Sequence, residues 1–129
     1  MAIEYINGIP QAPKAVGPYS QAAKAGGFIF LSGQIALNPE TSQLSGAAIE
    51  EQTNQVLKNI NTVLNSMNLG FKDVVKSTIF LTDMNDFKTV NAIYEQWLGE
   101  CKPARSTIQV AGLPLGAIVE IEMLAFSKD

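Results

Sequence analysis

The apolar positions of the chain gather into six runs whose spacing changes from one run to the next. Phe28-Ile29-Phe30-Leu31 is continuous and reads as a buried strand extending to about Leu37, after which Asn38-Pro39-Glu40-Thr41-Ser42 makes a turn cluster. From Ala48 to Leu69, the positions Ile49, Thr53, Val56, Leu57, Ile60, Val63, Leu64 and Met67 recur at three- and four-residue intervals, one stripe of a helix. Gly70 stands where a C-terminal cap belongs. Val74 to Thr82 is rich in β-branched residues and predicts a central strand. A second helix is expected to start near Asp83 or Asn85, either of which can accept from free amides. Its inward stripe is Phe87, Val90, Tyr94, Trp97 and Leu98, and Pro103 is expected to stop it. Two strands follow, Arg105–Ala111 and Ala117–Phe126, divided by Gly112-Leu113-Pro114-Leu115-Gly116.

The order is strands, helix, strand, helix, two strands, which predicts an α+β layer with both helices on one face of a mixed sheet. No repeat, low-complexity tract or linker divides the 129 residues, so one domain over 1–129 is expected. The other face of the sheet then needs a cover. Charged residues are only 16% of the chain, against about 25% in an average soluble domain. That shortfall points to a second copy of the chain as the cover.

Charge and composition narrow the chemistry. The net charge is −3 and no basic stripe occurs, so no nucleic-acid partner is expected. No run reaches the length of a membrane helix and no secretory signal is visible in the first twenty residues, so no membrane partner is expected and the cytoplasm is the simple location. There is no histidine and a single cysteine, Cys101. Ser-His-Asp and Cys-His arrangements are therefore excluded, and no metal site or cofactor signature is expected.

Side chains alternate along a strand, so Arg105 and Thr107 share one face, and Glu120 and Glu122 share another. If the last two strands form a hairpin closing near Leu113, Arg105 comes to stand a few ångströms from Ile118, Glu120 or Glu122. Such a pair has two readings. It can be an ion pair that fastens the hairpin and contributes up to about 1 kcal/mol. It can also be a site in which a guanidinium fork grips a carboxylate while a glutamate exchanges protons with a water.

Four short blocks favour the second reading. Gly17-Pro18-Tyr19-Ser20, Ser32-Gly33-Gln34-Ile35, Asn91-Ala92-Ile93-Tyr94-Glu95, and Pro103-Ala104-Arg105-Ser106 followed by Leu113-Pro114 and Val119-Glu120-Ile121-Glu122 resemble, in order and spacing, the signature of the Rid (YjgF) family. The likeness spans essentially the whole chain and is nearest to the RidA subgroup, the 2-iminobutanoate/2-iminopropanoate deaminases. It implies a chorismate-mutase-like fold, a homotrimer with three sites in the clefts between subunits, and a small 2-imino or 2-oxo carboxylate as ligand. It also implies roles: Arg105 for the substrate carboxylate, Glu120 for the attacking water, and the Thr107 main chain for the same water. Gly33 would give a backbone contact, while Tyr19, Ser32 and Asn91 line the pocket. Where relatives often carry cysteine, this chain has Thr107, which excludes a thiol nucleophile there.

The residues allow hydrolysis of an imine by positioning and proton transfer alone. A pocket that senses small carboxylates without turnover, and an apolar trimer that binds unfolded clients, remain alternatives at this level.

Overall fold

The structure, a computed structural model, describes residues 2–128. Its elements are β1 (Glu4–Ile6), β2 (Ala22–Ala25), β3 (Phe28–Gln34), α1 (Ile49–Ser66), β4 (Val74–Leu81), α2 (Phe87–Leu98), β5 (Ala104–Gln109) and β6 (Val119–Phe126). The strands form one six-stranded sheet in the order β1-β2-β3-β6-β4-β5. The sheet is mixed: β4 and β5 run parallel, and every other neighbouring pair is antiparallel. Both helices lie on one of its faces, as the pattern predicts.

The core fills the space between that face and the helices. Ile29, Leu31, Ile79, Leu81, Val119, Ile121 and Met123 meet Val56, Leu57, Ile60, Val63 and Leu64 of α1 and Val90, Ile93 and Leu98 of α2. The α1 residues recur at three and four, so one stripe is buried and the rest stays wet. Trp97 Nε1 donates to Asn54 Oδ1 at 2.9 Å, tying α2 to α1.

The helix ends differ from expectation in detail. Ala48 has no side-chain acceptor, and instead the Glu51 carboxylate accepts from its amide at 3.3 Å. The left-handed residue beyond α1 is Asn68 (φ 60), not Gly70, which is extended at φ −145. Asparagine tolerates that conformation well enough to close the helix two residues sooner. Asp83 caps a short 3₁₀ turn, accepting from the Asn85 amide at 2.9 Å, before α2 begins at Phe87. Gly99 (φ 59) ends α2 four residues ahead of Pro103.

Two expectations fail in ways that matter. The continuous run Phe28-Ile29-Phe30-Leu31 is not buried throughout. Ile29 and Leu31 enter the core, whereas Phe28 and Phe30 are 43% and 50% exposed on the face without helices. The predicted β5–β6 hairpin does not form either. β5 pairs in parallel with β4, with Ser77 opposite Arg105, and β6 inserts between β3 and β4. A strand, a helix and a parallel strand make a crossover unit that closes on itself. That unit places β5 at the sheet edge and leaves the longer, more apolar β6 for the centre.

Candidate active site

Ladder positions decide which way each functional side chain points. Arg105 lies opposite Ser77 and Thr107 opposite Ile79, and both partners are buried under the helices. Arg105 and Thr107 therefore project to the helix side. Glu120 lies opposite Phe80, between buried Val119 and Ile121, so its side chain projects to the uncovered side. The two residues sit on opposite faces with β4 between their strands. The short Arg105–Glu120 approach expected from a hairpin does not occur within one chain, whether as an ion pair or as a site.

Arg105 is built into a cradle. Its guanidinium donates to Asn91 Oδ1 at 2.8 Å. Its Cζ lies 5.0 Å from the Tyr94 ring centroid and 5.7 Å from that of Phe87. Phe87, Asn91 and Tyr94 fall at i, i+4 and i+7 of α2, one stripe directed at β5. The Tyr94 hydroxyl is in turn fixed by a buried hydrogen bond with Ser77 Oγ at 2.8 Å. Burial pushes the Tyr94 phenol up from its ordinary value, partly offset by Ser77 and Arg105, so the ring stays neutral beside the cation. The rest of the guanidinium fork is left to bind an anion, in a concavity that Asn91, Tyr94, Lys102 and Pro103 also line. The sequence pattern assigned Phe87 and Tyr94 to the core. Their spacing around Asn91 was the available signal that they flank a candidate site residue.

Thr107 stands two residues on, with Oγ1 buried and without a hydrogen-bond partner. The Val110 amide donates to the Leu81 carbonyl at 2.8 Å. By the two-residue alternation of the ladder, the main-chain groups of Arg105 and Thr107 then point out from the sheet's free edge, open to a ligand.

Glu120 belongs to a separate cavity of about 530 Å³, lined also by Tyr19, Gly33, Gln34 and Leu115. The carboxylate rests against Gly33, where an added Cβ would collide with Oε2 and come within 3.0 Å of the carboxyl carbon. Glycine here leaves room for the carboxylate in its present position, and no unusual backbone angle is involved. Burial pushes the Glu120 carboxyl up from the ordinary carboxylate range, and the Glu122 carboxylate adds to the effect. A carboxyl so placed exchanges protons more readily near neutral pH. Tyr19 is 54% exposed, and its hydroxyl accepts from the Val16 amide at 3.4 Å. Ser32 lines a neighbouring concavity with Tyr19, but its hydroxyl donates to the Ser20 carbonyl and so anchors the N-terminal arm. Buried Gln21 completes that anchor, accepting from the Ile9 amide at 3.0 Å and donating to the Pro13 carbonyl at 2.8 Å.

The seven candidate residues thus divide into two half-sites: Arg105, Asn91 and Thr107 on one side, and Tyr19, Ser32, Gly33 and Glu120 on the other. Among the described residues no group of His, Cys, Asp or Glu is placed to hold a metal ion, and no helix is long and apolar enough to cross a membrane.

The small α+β fold, with Arg105 on one face of the sheet and Glu120 on the other, defines a recognisable class. Residues 9–127 match the family described as Endoribonuclease L-PSP, and the chain belongs to this family, also called Rid or YjgF. It is 51% identical over 115 residues to Reactive Intermediate Deaminase A, chloroplastic, of Arabidopsis thaliana, covering 89% of this chain and 62% of that one. It is 45% identical over 115 residues to the human 2-iminobutanoate/2-iminopropanoate deaminase, covering 89% and 84%. The crystal structure of E. coli TdcF with bound serine superimposes with a TM-score of 0.90 at 37% identity, covering 97% of this chain and all of that one (100%).

Proposed function

We propose that the chain hydrolyses reactive 2-imino acids, 2-iminopropanoate and 2-iminobutanoate among them, to 2-oxo acids and ammonia, in the cytoplasm. We further propose that the sites form between copies of the chain in a homotrimer, the Arg105 half of one copy facing the Glu120 half of the next. The observation that carries this reading is the placement of Arg105 and Glu120 on opposite faces of one sheet. Neither half can position a carboxylate and a water together, and a ring of copies supplies the missing half to each. The face without helices supports it. Phe28, Phe30, Ile108 and Phe126 are each 43–50% exposed there, more apolar surface than a lone small protein ordinarily leaves in water.

In the assembled site Arg105 binds the substrate carboxylate bidentately, with Asn91 and the Tyr94 ring holding the guanidinium plane. A water beside Glu120 adds through oxygen to the C=N carbon. Its proton passes to Glu120 and from there to the nitrogen, which becomes an amine and leaves Glu120 ionised again. Glu120 then relays the remaining hydroxyl proton to that nitrogen, the C–N bond breaks, and ammonia leaves the 2-oxo acid. Each imine consumes one water. The chemistry uses only groups this chain contains.

The test is ammonia release from imines supplied by a threonine or serine dehydratase. Wild-type protein is expected to accelerate it, and Arg105→Ala and Glu120→Gln are each expected to lose about a hundredfold or more with the fold retained. Carboxylate binding with no acceleration would replace this reading with a sensor of small carboxylates.

A further inference from the structure

The buried stripe of α1 includes a glutamine where an apolar residue would ordinarily sit. Gln52 stands three positions after Ile49 and four before Val56, and it is only 2% exposed. A buried amide destabilises the fold unless its polar atoms are bonded. Gln52 bonds to two separate loops. Its Oε1 accepts from the Ile118 amide at 3.1 Å, and its Nε2 donates to the Gly46 carbonyl at 3.0 Å. A buried side chain makes both bonds within one chain, so they hold whatever covers the other face of the sheet.

Both bonds end on segments that wall the cavity beside Glu120. Leu37 and Ser42 line it from the segment leading to Gly46, and Pro114 and Leu115 line it from the segment leading to Ile118. The first segment has further fastenings on α1: Ser45 Oγ donates to Gln55 Oε1 at 3.3 Å, and Asn59 Nδ2 donates to the Leu37 carbonyl at 2.9 Å. The second meets Gln52 at the last residue before β6. There the Ile118 carbonyl also accepts from the Thr82 amide at 3.3 Å. Both main-chain groups of Ile118 are thus engaged, and β6 enters the sheet from a fixed peptide. Glu120 follows two residues later, its carboxylate against Gly33 with no room for a methyl group between them. A shift at the start of β6 is therefore felt at the carboxylate, and a misplacement of about 1 Å can cost a hundredfold in rate. Resting on the deaminase reading above, we infer that Gln52 is a positioning residue for Glu120. From inside the core it ties the start of β6 to the loop that ends at Gly46, and so sets where the carboxylate meets the water.

The experiment measures kcat and KM separately for ammonia release from a dehydratase-supplied imine, well below the Tm of every variant. Gln52→Met, close in length but without the amide, is expected to lower kcat about tenfold with KM within about twofold of wild type, because the carboxylate anchor at Arg105 is untouched. Gln52→Asn, a shorter amide that cannot span both loops, carries the same expectation. Val63→Ala, a core truncation further along α1, controls for stability: it is expected to lower Tm comparably with kcat unchanged. A kcat within about threefold of wild type in both Gln52 variants, or an equal fall in Val63→Ala, overturns the inference, while acceleration by wild-type protein leaves the deaminase reading standing. If wild-type protein accelerates no imine, the deaminase reading falls and this inference with it.

Discussion

Two inactive variants should restore one another when mixed. Arg105→Ala destroys one half-site and leaves the Glu120 half intact, and Glu120→Gln does the reverse. In the proposed ring of copies each site takes Arg105 from one chain and Glu120 from its neighbour. After a 1:1 mixture has been dissociated and reassembled at random, a site works when its first chain is the Glu120→Gln variant and its second is Arg105→Ala. Each condition holds for about half of the positions, so about one quarter of the wild-type activity should return. Mixing without subunit exchange should return none, as should either variant alone. The assay is 2-oxo acid formation from a dehydratase-supplied imine, before and after a cycle of mild denaturant, with size-exclusion chromatography to confirm that assembly has recovered. A site contained in one chain would give no recovery in any mixture. A silent mixture in which wild-type protein carried through the same cycle regains its activity would refute the shared site and the mechanism built on it.

Three further outcomes follow from the same geometry. Gly33→Ala should lower kcat by about tenfold or more with little change in Tm, because the new methyl displaces the end of a flexible side chain, the Glu120 carboxylate, rather than backbone. Glu122→Gln should move the acid limb of the kcat/KM profile to lower pH. Glu120 must be ionised to accept a proton, burial and then Glu122 raise its pKa, and removing the second negative charge lowers it again. Since Glu122 is exposed, high salt should reproduce part of that shift in the unmodified protein. Tyr94→Phe should lower stability by about 1–3 kcal/mol in a denaturant titration, because it leaves the buried Ser77 hydroxyl unpaired. The ring under Arg105 remains in that variant, so KM should change less than in Tyr94→Leu.

How much of this was legible in the sequence depended on the range of the interaction involved. The stripe from Thr53 to Leu64 and the alternation of Val119, Ile121 and Met123 are local patterns, and both survive in the structure. β1 and β2 were missed because they are only three and four residues long, and β2 is alanine apart from one lysine. The partner of β5 was misread because nothing within Arg105–Phe126 records that β4 will claim it. That preference arises from closing β4, α2 and β5 into one unit. The consequence for the site was large. The alternation along the last two strands was assigned correctly, yet the relation between Arg105 and Glu120 inverted, since it depends on which strand lies between them. The cradle of Phe87 and Tyr94 was hidden for another reason: an aromatic that supports a guanidinium has the same helical spacing as one that fills a core.

The aromatic patch of Phe28, Phe30 and Phe126 sets a condition on the protein before any substrate arrives. Under the proposed assembly, a newly made copy carries that greasy side into a crowded solvent until companions cover it. Dilution should therefore cost the protein its heat resistance and its usefulness together, and scarce expression would be penalised more steeply than in proportion to the number of copies made.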